Sequence, residues 1–250
     1  MAQRVKSSPP SGDYMHRYQG PWLLDPARTA LIVVDMQHAT GSRTAGLGRM
    51  QKASEAGGYL DDRFTRIENV VIPAIRNLLA AFRSRQLPIV YLVLGSARDD
   101  YSDMAPHLRA FTQAVGNKVG SAVHRILDEV RPEPGDTVLR KTTVGGFAST
   151  KLGELLRDRK VDRIVLCGIS TSYCVDQTAR EAADRGFHAL IVEDAVAENE
   201  ESWHRHSLQL FGRAFGRVAD AATVLAEISA NGQATTLVRA SNRMDASSKH

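Results

Sequence analysis

Short runs of branched apolar residues alternate along this chain with longer stretches whose apolar residues recur every three or four positions. TALIVVD at 29–35, PIVYLVL at 88–94, RIVLCG at 163–168 and HALIVE at 188–193 have the length of strands, and Thr137–Arg140 reads as a shorter one. Between them, Arg63–Gln86 places Ile67, Val71, Ile75, Leu78 and Phe82 along one helical face. Ser149–Lys160, Cys174–Arg185 (closed by Gly186), Glu200–Phe215 and Asp220–Ile228 read as further helices. A strand that is apolar at consecutive positions is buried on both faces, and strands separated by helices pair in parallel. The alternation therefore predicts an α/β fold, a doubly wound and mostly parallel sheet of about six strands with helices on both faces.

At 250 residues the chain can bury a substantial core. The body is read as one domain over 29–230, with mobile arms at 1–28 and 231–250 where Ser, Pro, Asn and Thr accumulate. Each end carries two net positive charges of the formal +4, which leaves the body neutral. Basic character thus lies in the ends, and no nucleic-acid partner is expected. No apolar run reaches membrane-spanning length, the first 20 residues lack the apolar core of a signal peptide, and two cysteines cannot build a disulfide framework. A cytoplasmic protein without a membrane partner is the expectation.

Three chemically capable residues stand at strand ends. Asp35 closes the first strand, Lys141 the third, and Cys174 follows the fourth by a short turn. In a parallel sheet all three reach the carboxyl edge, where such sheets bind ligands. Cys174 is expected at a helix start behind the capping residues Thr171 and Ser172, where the helix N-terminus and a nearby ammonium would lower its pKa. From position alone it is either a nucleophile or a buried inert thiol. Cys167, inside an apolar run, is read as packing. Two glycine-bearing or polar inserts follow strands, Met36–Asp62 and Ala97–Gly120. The first is read either as a lid or as a surface excursion, the second as a surface excursion.

These pieces resemble the isochorismatase-like cysteine hydrolases, a family that includes nicotinamidases and N-carbamoylsarcosine, ureidoacrylate and biuret hydrolases. TALIVVDMQ at 29–37, VLRKTTVGGFAST at 138–150, GISTSYCVDQTAREAADRGF at 168–187 and VEDAVAE at 192–198 carry the resemblance, which extends over roughly Thr29–Leu225. It implies a catalytic triad of Asp35, Lys141 and Cys174, an oxyanion hole from the amides of Tyr173 and Cys174, and a cis peptide between Ile169 and Ser170. It also implies pocket-wall positions for Gln37, Phe147 and Tyr173.

The implied chemistry is hydrolysis of a C–N bond in a small linear amide or ureido compound, with water as second substrate, through an acyl-thioester-type intermediate. Hydrolysis of another bond or of an aromatic amide, and a catalytically idle metabolite binder, are the alternatives; rapid iodoacetamide labelling of Cys174 near neutral pH would mark the hydrolase. Nicotinamidases hold a metal through an Asp-x-His pair and a further His. Residues 36–62 offer His38, Asp61 and Asp62 without that pair, so no metal and no cofactor is expected. His204 and His206 lie two positions apart on a helix, face different directions, and are read as solvated surface. His38, Arg43, Arg98 and Arg109 are candidate anchors for a substrate carboxylate. Trp203, Leu208, Leu210, Phe211 and Phe215 make the late helices apolar on more than one face, from which a homo-oligomer, dimer or tetramer, is expected.

Overall fold

A computed structural model describes residues 14–15, 20–54 and 58–230. Its six strands are β1 (Thr29–Val34), β2 (Ile89–Leu94), β3 (Thr137–Lys141), β4 (Arg163–Ile169), β5 (His188–Ala197) and β6 (Arg217–Ala219). They form one sheet in the order β3-β2-β1-β4-β5-β6, with every neighbouring pair parallel. The order runs outward from β1 in one direction and from β4 in the other. The switch point of the sheet is therefore the seam between β1 and β4, where a crevice opens at the carboxyl ends.

Burial explains why the central strands are apolar throughout. All six residues of β1 and of β2 are buried. On β1, Leu31 and Val33 enter one core while Ala30, Ile32 and Val34 enter the other. The first core is closed by α4 (Ile72–Ser84) through Ile75, Leu78 and Phe82, and by α9 (residues 221–230) through Val224 and Ile228. The second is closed by α6 (Leu152–Asp158), α7 (Asp176–Asp184) and α8 (Glu201–Ala214), which supply Leu156, Ala179, Leu208 and Phe211. Each fully buried Leu, Ile or Phe contributes roughly 1.5–3 kcal/mol. The edge strand β3 alternates in burial until Lys141, which is buried completely.

The remaining helices are α1 (His38–Gly41), α2 (Gly46–Lys52), α3 (Asp61–Arg66) and α5 (Pro106–Ala114). The helix expected over Arg63–Gln86 is continuous but contains a π turn at Ile67–Val71 between α3 and α4. β5 runs four residues beyond the expected end at Glu193, because a register shift lets Gly168 and Ile169 pair with Val196 and Ala197. The short β6 had no separate signal in the sequence. Residues 20–28 lie against the domain rather than forming part of an arm. Leu24 is fully buried, and its amide donates to Glu227 Oε2 at 3.0 Å. The rest of the first arm, apart from Tyr14 and Met15, and the tail at 231–250 lie outside the described residues.

Candidate active site

Asp35 follows the last residue of β1 in the left-handed region, with φ +50°. An aspartate tolerates that conformation better than a branched residue would. The turn aims its carboxylate back over the ends of β1 and β2. Oδ1 accepts the Leu94 amide at 2.9 Å, and Oδ2 lies 2.8 Å from Lys141 Nζ. That contact is an ion pair without the alignment of a hydrogen bond, so Oδ2 keeps a lone pair for another donor. Lys141 Nζ donates to the carbonyls of Thr143 at 3.1 Å and Val144 at 3.0 Å, and to Cys174 Sγ at 3.3 Å. The three strand-end residues therefore meet, two of them on either side of the switch point.

The helix that carries the thiol begins earlier than expected. A π turn at Thr171–Val175 precedes α7, so Cys174 sits within a turn of helix and not at its first residue. The Ser170 carbonyl accepts the amides of both Tyr173 and Val175 at 3.2 Å, which widens the turn. Thr171 and Ser172, expected as caps, instead reach sideways. Thr171 Oγ1 lies 3.0 Å from His204 Nδ1, and Ser172 gives its amide and its hydroxyl to Glu198 Oε2 at 2.9 and 2.6 Å. Of the two amides expected in an oxyanion hole, that of Tyr173 is engaged with Ser170, over a distance that a better acceptor can compete with. The Ile169–Ser170 peptide is cis. Gly168, at φ +117°, has no room for a side chain because a Cβ would collide with the Val34 carbonyl.

The electrostatics differ from the sequence expectation of a depressed thiol. Burial pushes the Cys174 thiol up to about 12; Lys141 pulls it down, and Asp35 pushes it up again. The lysine cannot prevail because its charge is already compensated by Asp35. Burial acts to lower the Lys141 pKa, but Asp35 and Cys174 outweigh it and hold the ammonium charged. The thiol thus sits beside a buried ion pair, with burial and Asp35 favouring its protonated form and Lys141 opposing them. Rapid labelling near neutral pH does not follow from this arrangement.

Cys174 and Asp35 open onto a cavity of about 870 Å³. Two arginines line it: Arg63, buried to 3% exposure, and Arg180, which pairs with Asp176. Arg63 Nη1 donates to Ser170 Oγ at 2.9 Å and Asn199 Oδ1 at 3.0 Å, and Nη2 to the Thr40 carbonyl at 3.2 Å, while Nε has no partner. Burial lowers the Arg63 pKa against the opposing pull of Glu198 and Cys174, but a guanidinium stays charged. Glu198 lines the same cavity and is committed to Ser172 and to the Asn199 amide.

Several expected site residues lie elsewhere. Gln37 is fully buried and does not line the cavity. Its amide nitrogen donates to the carbonyls of Leu94 and His124 at 3.1 and 2.7 Å, and its oxygen accepts the Leu94 amide, so it fixes the strand end beneath Asp35. Phe147 packs in the second core against Phe187 and also stays out of the cavity. Tyr173 does line it, half exposed. None of His38, Arg43, Arg98 and Arg109 reaches it; Arg43, for instance, pairs with Asp61 and Glu68.

His204 is not solvated surface. It is buried, pushed down to about 3 first by that burial and then by Arg66 and Arg205. Arg66 can only donate, so Nε2 accepts from it at 3.3 Å and Nδ1 carries the proton toward Thr171. His206 lines the cavity. The second insert is no mere excursion, since His107, Leu108 and Phe111 of α5 form part of the wall. The first insert supplies Thr40, Leu47 and Tyr59. On α8, Trp203, His206, Ser207 and Leu210 fall on one face and line the cavity, whereas Leu208 and Phe211 enter the core. Among the described residues there is no cluster of three or more His, Cys, Asp or Glu side chains able to hold a metal. No helix among them is long and apolar enough to cross a membrane.

The switch-point crevice of this parallel α/β sheet brings together an acid, an ammonium and a thiol from three strand ends. Residues 29–223 match the family model described as the Isochorismatase domain, and the chain belongs to that family. It is 32% identical over 221 residues to the ureidoacrylate amidohydrolase RutB of Methylobacterium radiotolerans, covering 81% of this chain and 80% of that one. The protein of the same name from Caulobacter segnis is 31% identical over 193 residues, covering 70% and 75%. Among solved structures, a cysteine hydrolase from Pseudomonas syringae pv. phaseolicola superposes with a TM-score of 0.68 at 26% identity, over 84% of this chain and 97% of that one. N-carbamoylsarcosine amidase from Thermoplasma acidophilum gives 0.57 at 28% identity, over 78% and 96%.

Proposed function

We propose that this isochorismatase-family amidohydrolase cleaves the C–N bond of a linear ureido or amide compound, of the type for which its ureidoacrylate-hydrolysing relatives are named, with Cys174 as nucleophile. The observation that carries the proposal is the buried contact chain from Cys174 Sγ to Lys141 Nζ (3.3 Å) to Asp35 Oδ2 (2.8 Å) beneath an open cavity. Sulfur bonds to the substrate carbonyl carbon as the thiol proton passes to Asp35. The oxyanion is held by the Cys174 amide and by that of Tyr173, once the latter leaves Ser170. Collapse breaks the C–N bond, and Asp35 returns the proton to the leaving nitrogen. Water then attacks the acyl-thioester, giving one proton to Asp35, and the acid departs as the thiol is restored. Lys141 keeps Asp35 charged and oriented, and favours the sulfur as it gains negative charge. Arg63 supplies the buried positive charge met by a substrate oxygen.

Acid quenching of the enzyme during turnover of a ureido acid, followed by peptide mass spectrometry, tests this directly. The expected result is an acyl adduct on Cys174 with ammonia and amine released in solution. Turnover retained by a natively folded Cys174→Ser variant overturns the covalent route. The late helices offer little to the expected homo-oligomer, because Leu208 and Phe211 enter the core, Phe215 packs against it, and Trp203 and Leu210 line the cavity.

A further inference from the structure

The cavity lining changes with burial. Its buried part carries Asp35, Cys174, Arg63 and Glu198 beside Leu60, Leu94 and Ile169. Its exposed part combines His107, Ser172 and His206 with large apolar side chains. Tyr59, Phe111, Tyr173, Trp203 and Leu210 all border it, and all five are between 38% and 51% exposed. They come from four separate segments: the first insert, α5, the turn that carries Cys174 and α8. Large apolar groups left half in water at one place mark a surface that expects a partner. Here that surface is continuous with the buried part, within a single cavity of about 870 Å³. Sites of roughly 300–1,000 Å³ take ligands of drug-like size, well beyond a short ureido acid.

We infer that the substrate is a ureido acid carrying an apolar side group, up to the size of an aromatic ring, which lies on this exposed lining while the ureido head reaches Cys174. The inference rests on the hydrolase reading above and adds to it the chemistry of the substituent. The head supplies the carbonyl that sulfur attacks, and its carboxylate turns to the buried guanidinium of Arg63. The side group replaces water on the faces of Trp203 and Phe111. The side group is no part of the reacting bond, so it acts through binding.

The test uses the full-length enzyme and the N-carbamoyl derivatives of glycine, alanine, leucine and phenylalanine. These keep the ureido head and carboxylate constant and vary only the side group. In each, sulfur attacks the ureido carbonyl, the bond to the amino-acid nitrogen breaks with proton transfer to that nitrogen, and water releases carbamate, which decomposes to ammonia and carbon dioxide. The expected result is a rise in kcat/KM of about fourfold per buried methylene equivalent. With about two to three methylene equivalents buried against the half-exposed lining, the phenylalanine derivative should exceed the glycine derivative by about thirtyfold or more. Trp203→Ala and Phe111→Ala should each lower that ratio about tenfold. Both residues are about half exposed, and circular dichroism and Tm check that the fold persists.

A series that is flat or falls with side-group size, while an acyl adduct still forms on Cys174, overturns the inference and leaves the hydrolase reading standing. A flat series in which Trp203→Ala instead reduces the particle mass by light scattering assigns the exposed lining to contact between copies, and also overturns it. Absence of any Cys174 adduct with all four compounds removes the reading and the inference together.

Discussion

Cys167 and Cys174 stand on either side of the turn that follows β4, and both are buried free thiols. Burial raises the pKa of each, as desolvation does for any thiol. Cys167 lies in the first core, with the Ile32 carbonyl 3.6 Å from its sulfur. Cys174 has an ammonium, a carboxylate and a cavity. The two thiols therefore differ in their neighbours and in access to a cavity, and not in the direction in which burial moves their pKa. On the proposed mechanism, what sets Cys174 apart is Asp35 as a base able to receive its proton at the moment of attack.

The largest expected effect breaks the proton path itself. Asp35→Asn keeps the shape and loses the acceptor, so kcat should fall by about two or more orders of magnitude, the scale of lost general acid–base catalysis. Activity within tenfold of wild type would mean that the carboxylate is not the base. A graded effect should follow in alkylation. Wild-type Cys174 should label slowly with iodoacetamide at pH 7 and faster as pH rises. Lys141→Ala should move that curve to higher pH and Asp35→Asn to lower pH, because the two neighbours act in opposite senses. Coincident curves for wild type and Lys141→Ala would separate the lysine from the sulfur.

A smaller effect concerns stability and His204, which braces the turn that carries Cys174 through Thr171. Its folded pKa of about 3 lies below the ordinary 6.5, so below pH 6.5 the unfolded chain binds the extra proton and the native state does not. Stability contributed by the neutral ring is therefore complete above pH 6.5 and is lost as pH falls toward 3, a difference on the order of a few kcal/mol. Denaturant unfolding at pH 7 and pH 4.5 should show His204→Gln losing less stability between the two than wild type does. Equal losses would remove the histidine from the acid response. The smallest effect belongs to Cys167→Ala, which should leave kcat within about twofold and cost about 1 kcal/mol from the small cavity it creates. A large loss of activity there would erase the contrast between the two thiols.

The convergence of Asp35, Lys141 and Cys174 was legible because parallel strands deliver their carboxyl ends to one edge whatever lies between them in sequence. The alternation of apolar runs and helices carried that information without tertiary detail. Arg63 was not legible. It reads as the first polar residue of an amphipathic helix, and only the packing of α3 turns it inward. His204 failed for the same reason. Two histidines on a helix do face different ways, but the sequence does not say that one of those directions is the underside of the turn that carries Cys174. The π turn had no signal either, since TSYCV offers caps for an ordinary helix and the wider turn depends on Glu198 and His204 drawing Ser172 and Thr171 aside. Gln37 was misplaced because a polar residue next to Asp35 serves the strand end as readily as the ligand.

The seam between β1 and β4 has a consequence for how this enzyme comes into being. It joins Thr29 to Arg163 and Val34 to Gly168, where a side chain on Gly168 would collide with the Val34 carbonyl. Contacts so far apart along the chain carry a high loop-closure entropy and form late. Asp35 emerges early from the ribosome and Cys174 long afterward, so on the proposed mechanism a nascent chain holds half of the site until most of the domain has been made. Catalytic competence would then be tied to completion of the sheet.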